Sequence, residues 1–550
     1  MSSTSSGRRS DRVRRSSFVR VAAAFTTAVC AIGFGAGVAQ SAGSHAQIEG
    51  SGSSWSSNAI NQWVADVDSK GLRVVFTASG SAQGRKDFAF RTTDFAVSDI
   101  GYAGTDQFGG SDTSNGRAFA YLPVVAGGTA FPYQVKVGGQ LKRNLRLSGL
   151  TLAKIFTGQI TNWNDPAITA DNNGQQLPSL KIIPVVHSEG SGSTAQFTRY
   201  LDNQFPDLWR PFQGKAGLTE FFPAKSGMIA QNGSDGVMNF IASGAANGAI
   251  GYDEYSYALG KNFPVAKIGN AAGYFTLPDQ YNVAVALTQA QINMDKGSDT
   301  YLLQILDKVY TYSDPRTYPL SSYSYMIIPT AANDPRMNTA KRQTIADFLS
   351  YSTCEGQKEI GPLGYSPLPI NLAQASFDQI GRLKEADAGV DLASRDLTQC
   401  DNPTFDKSNP GVNLLAQIAP QPPACDKSGA GPCGDSVGNV GNPVGGQAPS
   451  SGGGSGAAAV GANTGVAATA GGTGDATGTK NASDTSDSGH EASPAQPRET
   501  SARGVIGGIT GFAGILVVII LVMAIALPPI VVYSVGGRRA FRSDERGIPV

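Results

Sequence analysis

The amino-acid sequence predicts an α/β protein that holds its ligand on loops at the carboxyl ends of its strands, and three observations carry that expectation. Small-residue loops recur between strand-like and helix-like runs, at residues 50–56, 78–84 and 187–194. The run 93–99 is a short apolar strand that ends on the carboxylate of Asp99. The globular stretch from Gln47 to Cys425 is long enough for a substantial core and, if divided, for two lobes.

The two ends of the 550-residue chain read differently from this middle. Residues 1–46 open with Arg8, Arg9, Arg12, Arg14, Arg15 and Arg20, continue with the uncharged run 21–38, and close on small residues, which is the layout of a secretory signal peptide. Residues 426–503 are Gly, Ala, Ser, Thr and Asn with hardly a large apolar side chain, so they cannot offset their ordering entropy and predict a disordered tether. Residues 504–535 are almost wholly apolar and uncharged, long enough for one transmembrane helix. Arg538, Arg539, Arg542 and Arg546 follow, which places the tail 536–550 in the cytoplasm and the rest outside, a single-pass type I arrangement at the cell membrane.

Charge and cysteine content narrow the function classes. The formal charge is zero, yet the N-terminal segment carries an excess of five positive charges and the tail an excess of two, leaving about −7 on the exported part. No basic run interleaved with aromatics occurs there, so nucleic acid is not an expected partner. With Cys30 removed in the signal segment, Cys354, Cys400, Cys425 and Cys433 remain, an even count that favours disulfides in an exported chain. Of the three possible connectivities, Cys354 with Cys400 and Cys425 with Cys433 is favoured, because the second pair closes a short Pro/Gly-rich loop. The spacings do not match a metal site, and neither a metal nor a cofactor is expected.

Taken in order, the first small-residue loop precedes Ile60, Trp63, Val64 and Val67, whose spacing is that of an amphipathic helix. Residues 72–77 then read as a strand that runs into the second loop. The third loop joins the strand-like run 180–186 to the helix-like run 195–201. Unpaired backbone N–H groups at a helix start, with hydroxyl donors beside them, make an anion cradle. A carboxylate among such loops suits an anion that carries a proton: Asp99 accepts from hydrogen phosphate and repels sulfate.

The segments Gly50-Ser-Gly-Ser-Ser-Trp55, Gly80-Ser81, Asp94-Phe-Ala-Val-Ser-Asp99 and Glu189-Gly-Ser-Gly-Ser193 resemble, in family order, the four binding segments of the periplasmic phosphate-binding proteins of phosphate ABC importers. Residues 149–165, 247–255 and 318–321 resemble the same family. The resemblance implies a two-lobe, type II periplasmic-binding-protein-like clamp with crossover strands near residues 121–126 and 318–328. Lobe 1 would take about 47–122 and 325–400, and lobe 2 about 123–320. It implies donors at Ser54, Trp55, Ser81, Ser191, Gly192 and Ser193, an acceptor at Asp99, an orienting acid at Glu189, an inorganic phosphate-like oxyanion as ligand, and an importer permease as partner. The family carries an arginine where this chain has His187. His187 protonated by Glu189, Arg85 or Arg91 reaching in from the other lobe, or a different ligand would each accommodate that change.

Two other classes compete with solute capture. A serine hydrolase would need a Gly-x-Ser-x-Gly elbow, which the globular region lacks, and would have to use His187, so no enzyme is expected. A cell-surface sensor or envelope interaction module built on the same clamp is the alternative that the membrane anchor favours.

Overall fold

The computed structural model describes residues 45–433 apart from Asp299, Ser394 and Pro410, so most of the expected signal segment (up to residue 44), most of the expected tether (434–503), the apolar run 504–535 and the tail lie outside the described residues. No helix among the described residues is long and apolar enough to cross a membrane.

The first lobe is built on a six-stranded sheet. Its strand β1 (Ile48–Gly52) lies between β2 (Val74–Thr77) and β3 (Phe95–Ser98), parallel to both. Two long strands, β4 (Phe119–Ala130) and β9 (Ser321–Pro329), pair antiparallel from Phe119 opposite Pro329 to Gly128 opposite Ser321. β9 also pairs antiparallel with β3, which fastens both long strands to the first lobe's sheet. The apolar faces of α1 (Ser57–Asp68) and α8 (Thr339–Thr353) cover this sheet through Ile60, Trp63, Phe348 and Leu349, packed with Phe95, Val97 and Leu122.

The second lobe has a parallel sheet in which β5 (Ile183–His187) runs between β6 (Ile229–Gln231) and β7 (Ala249–Gly251). Its core is aromatic, with Phe131, Phe156, Phe197, Trp209, Phe222 and Tyr252 packed around Val186. The strand β8 (Asp253–Glu254) pairs with the far end of β4, opposite Ala130 and Thr129. Each lobe therefore keeps its own core, and the long pair β4–β9 runs between them.

Residues 280–303, placed in lobe 2 by the sequence, pack on both sides: Val283, Leu287 and Leu302 join Tyr121, Ala126, Tyr323 and Leu368 at the long strands, and Ala286 joins the aromatic second-lobe core. The segment expected to begin the tether is folded at its start. Asp426 forms a buried ion pair with Lys267 at 2.6 Å, and Cys425 pairs with Cys433. Cys354 pairs with Cys400. Between these disulfides the chain lays the short helix Leu414–Ile418 against Ala284 and Val285, and Arg316 donates to the carbonyls of Ala416 and Ala419.

Candidate functional site

The first-lobe half of the site follows from two sharp transitions at strand ends. Gly52 closes β1 at φ 141°, where a Cβ would stand 1.9 Å from the Val97 carbonyl oxygen, so only glycine lets β1 turn this close to β3. The chain then delivers Ser53 to Asp99, the residue after β3. Helix α2 (Ser81–Ala89) starts beside them, on Gly80 at φ 91°.

Asp99 is buried and surrounded by hydroxyls. Ser53 donates to both of its carboxylate oxygens at 2.9 Å, Ser324 donates to Oδ1 at 2.5 Å, and Ser81 donates to Oδ2 at 3.2 Å. Burial pushes the Asp99 carboxyl up from its ordinary value, against the pull of these three serines, and the nearby charge of Glu220 adds to the rise. Ser324 reaches the site where the β4–β9 register shifts between Ser324 and Tyr325, a local irregularity of the kind that re-aims a side chain.

The second-lobe half is the amino end of α4 (Gly192–Gln204). Ser191 caps it by accepting from the Thr194 N–H, and the Ser191 and Ser193 hydroxyls lie 2.9 Å apart. Gly192 sits directly against the first lobe: a Cβ there would stand 2.1 Å from Asp99 Oδ2 and 2.4 Å from Ser81 Oγ. The positive end of a four-turn-class helix thus faces the buried carboxylate across the join between the lobes. Gln196, one turn further on, donates to the Asp99 carbonyl at 2.6 Å.

The other expected donors are placed differently. The Ser54 hydroxyl lies 3.1 Å from the Ser234 hydroxyl and accepts from the Ser234 N–H at 3.2 Å, so it meets the amino end of α5 (Gly233–Ala242) in the second lobe. Trp55 is buried, its ring edge against Tyr365 and its carbonyl accepting from the Tyr365 hydroxyl at 2.7 Å.

His187 departs from its expected place among the ligand donors. Its Nδ1 lies 2.7 Å from Glu189 Oε1 and its Nε2 lies 3.2 Å from the Tyr252 carbonyl oxygen, so both ring nitrogens are occupied inside the second lobe. A neutral imidazole has one N–H, whereas two acceptors require two donors, which is the imidazolium. Burial alone would lower the His187 pKa, but the hydrogen bond and charge of Glu189, with Asp253 and the Tyr252 carbonyl, raise it above 6.5. Burial likewise works to raise Glu189, and His187 and the Gly233 N–H leave it below its ordinary value. Glu189 therefore orients His187 and also accepts from the Gly233 N–H at 2.9 Å.

Of Arg85 and Arg91, the two candidates for replacing a missing cationic donor, Arg85 is engaged elsewhere and Arg91 stands at the wrong end of β3. Arg85 forms ion pairs with Asp112 and Glu220, and Arg91 precedes β3, whereas Asp99 follows its other end. Ser53, Ser324 and Gln196 were not among the sequence candidates. Ser53 had a signal, since it shares the first Gly/Ser loop; Ser324 and Gln196 had none, because neither lies in such a loop.

A family model described as PBP superfamily domain matches residues 37–355. The chain is 33% identical over 335 residues to the phosphate-binding protein PstS 2 of Mycobacterium tuberculosis, covering 60% of this chain and 84% of that protein. It is 32% identical over 342 residues to the phosphate-binding protein PstS 3 of Mycobacterium leprae, covering 60% and 85%. Among solved structures, a high affinity periplasmic phosphate-binding protein bound with phosphate aligns with a TM-score of 0.48 at 20% identity, covering 63% of this chain and 99% of that one.

Proposed function

This chain belongs to the PBP superfamily, among the PstS phosphate-binding proteins, and from that membership we propose that its clamp captures inorganic phosphate outside the membrane for an ABC importer. The observation that carries this reading is the opposition of Asp99, with its three serine donors, to Gly192 at the amino end of α4. Such a site supplies donors to oxyanion oxygens and one acceptor for an oxyanion's proton. Ser81, Ser191, Gly192 and Ser193 are its donors and Asp99 its acceptor. Ser54 and Trp55 support it from the first lobe.

In this reading His187 gives the anion no N–H: as an imidazolium it offsets the ionised Glu189 carboxylate, so that the loop leading into α4 carries a neutral pair rather than an uncompensated negative charge. Capture requires no bond to be broken. The occupied ring nitrogens of His187 also leave it no free position from which to activate a serine.

The uncharged apolar run 504–535 supports anchoring of this clamp to the membrane through one helix, with residues 434–503 as the tether between. The signal-like first 46 residues and the two disulfides support an extracellular location.

Thermal melting of the purified protein with phosphate, sulfate, a phosphonate or a small carboxylate tests the ligand class. A ligand present at about 100 times its Kd stabilises the folded state by about 2.7 kcal/mol. Phosphate is expected to raise the melting temperature well above the sulfate and carboxylate samples. A shift with a carboxylate and none with phosphate would instead favour the surface sensor or interaction module.

A further inference from the structure

Arg85 lies in the middle of α2, 1% exposed, and its guanidinium is shared between the two lobes. On its own side it donates from Nε to Asp112 Oδ1 at 3.0 Å and from Nη2 to Asp112 Oδ2 at 2.8 Å. Across the join it donates from Nη1 and Nη2 to the two carboxylate oxygens of Glu220 at 2.8 and 2.7 Å. Such bidentate, charge-assisted pairs are the geometry that the arginine fork provides and a lysine does not.

The surroundings of this pair tie it to the ligand loops. The Glu220 carbonyl accepts from the Ser191 N–H at 2.9 Å, so the residue gripped by Arg85 also holds the cap of α4. Ser81 and Arg85 share one helix, and the Gly190 carbonyl accepts from the Ala82 N–H at 3.0 Å beside them. Asp112 lies on the hairpin that pairs Gly104–Thr105 with Ser111–Asp112, and the tip of that hairpin crosses to the second lobe. There the Thr219 hydroxyl donates to Gln107 Oε1, and Phe108 meets Phe221 edge-on with centroids 5.0 Å apart. Three successive residues, Thr219, Glu220 and Phe221, thus receive first-lobe contacts around a buried ion pair.

We propose that Arg85 is a positioning residue that latches the closed clamp: its bond to Glu220 holds the lobes together once the anion loops have met, and so sets how long the ligand stays. This role rests on the phosphate-capture reading for its ligand, though the closing itself does not. Arg85 acts through Glu220 and the Ser191 cap rather than by touching the anion. Its charge also offsets Glu220, whose negative charge otherwise stands within reach of Asp99 and of any bound anion.

Glu220→Gln is the informative substitution, because Arg85 keeps Asp112 as a partner and the two lobes keep their cores. Interlobe distances are read between spin labels at exposed positions, S69C and Q159C, in the full chain carrying C30S. Without ligand, E220Q is expected to lower the closed-to-open ratio by about tenfold or more, the size expected when a charge-assisted pair is lost. With phosphate, its dissociation rate is expected to rise by a similar factor while association changes little. A merely structural role would lower the melting temperature and leave the distance distribution and the dissociation rate alone, and that result overturns the proposal. If phosphate does not bind the parent chain, the phosphate reading fails by itself. The ligand-free distances still decide the latch, with a shift towards open supporting it and an unchanged distribution refuting it.

Discussion

Gly192→Ala separates closure of the site from folding of the lobes. Gly192 is the first residue of α4 and carries no positive φ, so alanine suits the isolated helix as well as glycine does or better. In the closed arrangement its new methyl group would stand 2.1 Å from Asp99 Oδ2, 2.4 Å from Ser81 Oγ and 2.6 Å from Asp99 Cβ. Ordinary carbon contacts are about 3.5–4 Å, so the lobes must separate or Asp99 must leave its three serines. Overpacking of this kind costs about 1–3 kcal/mol. Charged wholly to the closed state, that weakens phosphate binding by about 5- to 150-fold. Calorimetric titration measures the affinity, and melting of the ligand-free protein measures folding. The expected result is a large loss of affinity with a melting temperature within a degree or two of the parent. Unchanged affinity would show that Gly192 and Asp99 do not meet in the liganded form, and a collapse of the melting temperature would show that they meet for folding alone.

Three further outcomes follow from individual groups. Asp99→Asn exchanges a pure acceptor for a group that also donates, and the ratio of phosphate to sulfate affinity is expected to fall about tenfold or more in competition titrations. Burial pushes the Asp253 carboxyl up to about 7, so the folded chain retains a proton that the unfolded chain loses above about pH 4. Stability therefore falls as pH rises through that window. The His187 contribution is complete below 6.5 and is lost as pH passes its raised folded value, so the two groups act in the same direction. Chemical denaturation at a series of pH values is expected to show this fall, and Asp253→Asn to flatten its lower part. Lys267→Met strands the buried Asp426 carboxylate, 2.6 Å from the lost ammonium, and is expected to cost about 3–5 kcal/mol in denaturant unfolding. Pairing it with Asp426→Leu is expected to recover most of that loss.

The parts of the site written in contiguous residues were legible in the sequence. The Gly/Ser loops showed themselves because each joins two runs of different periodicity, and Asp99 because a short apolar strand ends on it. Residues whose roles depend on distant pairing were not legible. Ser324 meets Asp99 from 225 positions away, through an irregularity in strand pairing that no local pattern encodes. Arg85 reads as a candidate donor to the anion, and no local pattern points to Glu220, 135 positions on, as the partner it meets instead. The family resemblance puts His187 where an arginine is expected, but no local pattern shows which way its ring points, since the Tyr252 carbonyl that takes Nε2 lies 65 residues further on. The packing of residues 280–303 depends in the same way on distant partners, because both lobes offer apolar surface.

Calorimetric titration of the purified protein with inorganic phosphate at neutral pH tests the central claim most directly, with sulfate titrated under the same conditions. The account predicts one phosphate per chain, bound with a Kd of about a micromolar or less, and sulfate weaker by at least about tenfold because Asp99 has no proton to accept from it. No heat from phosphate up to millimolar concentration, or sulfate bound as tightly as phosphate, would contradict it.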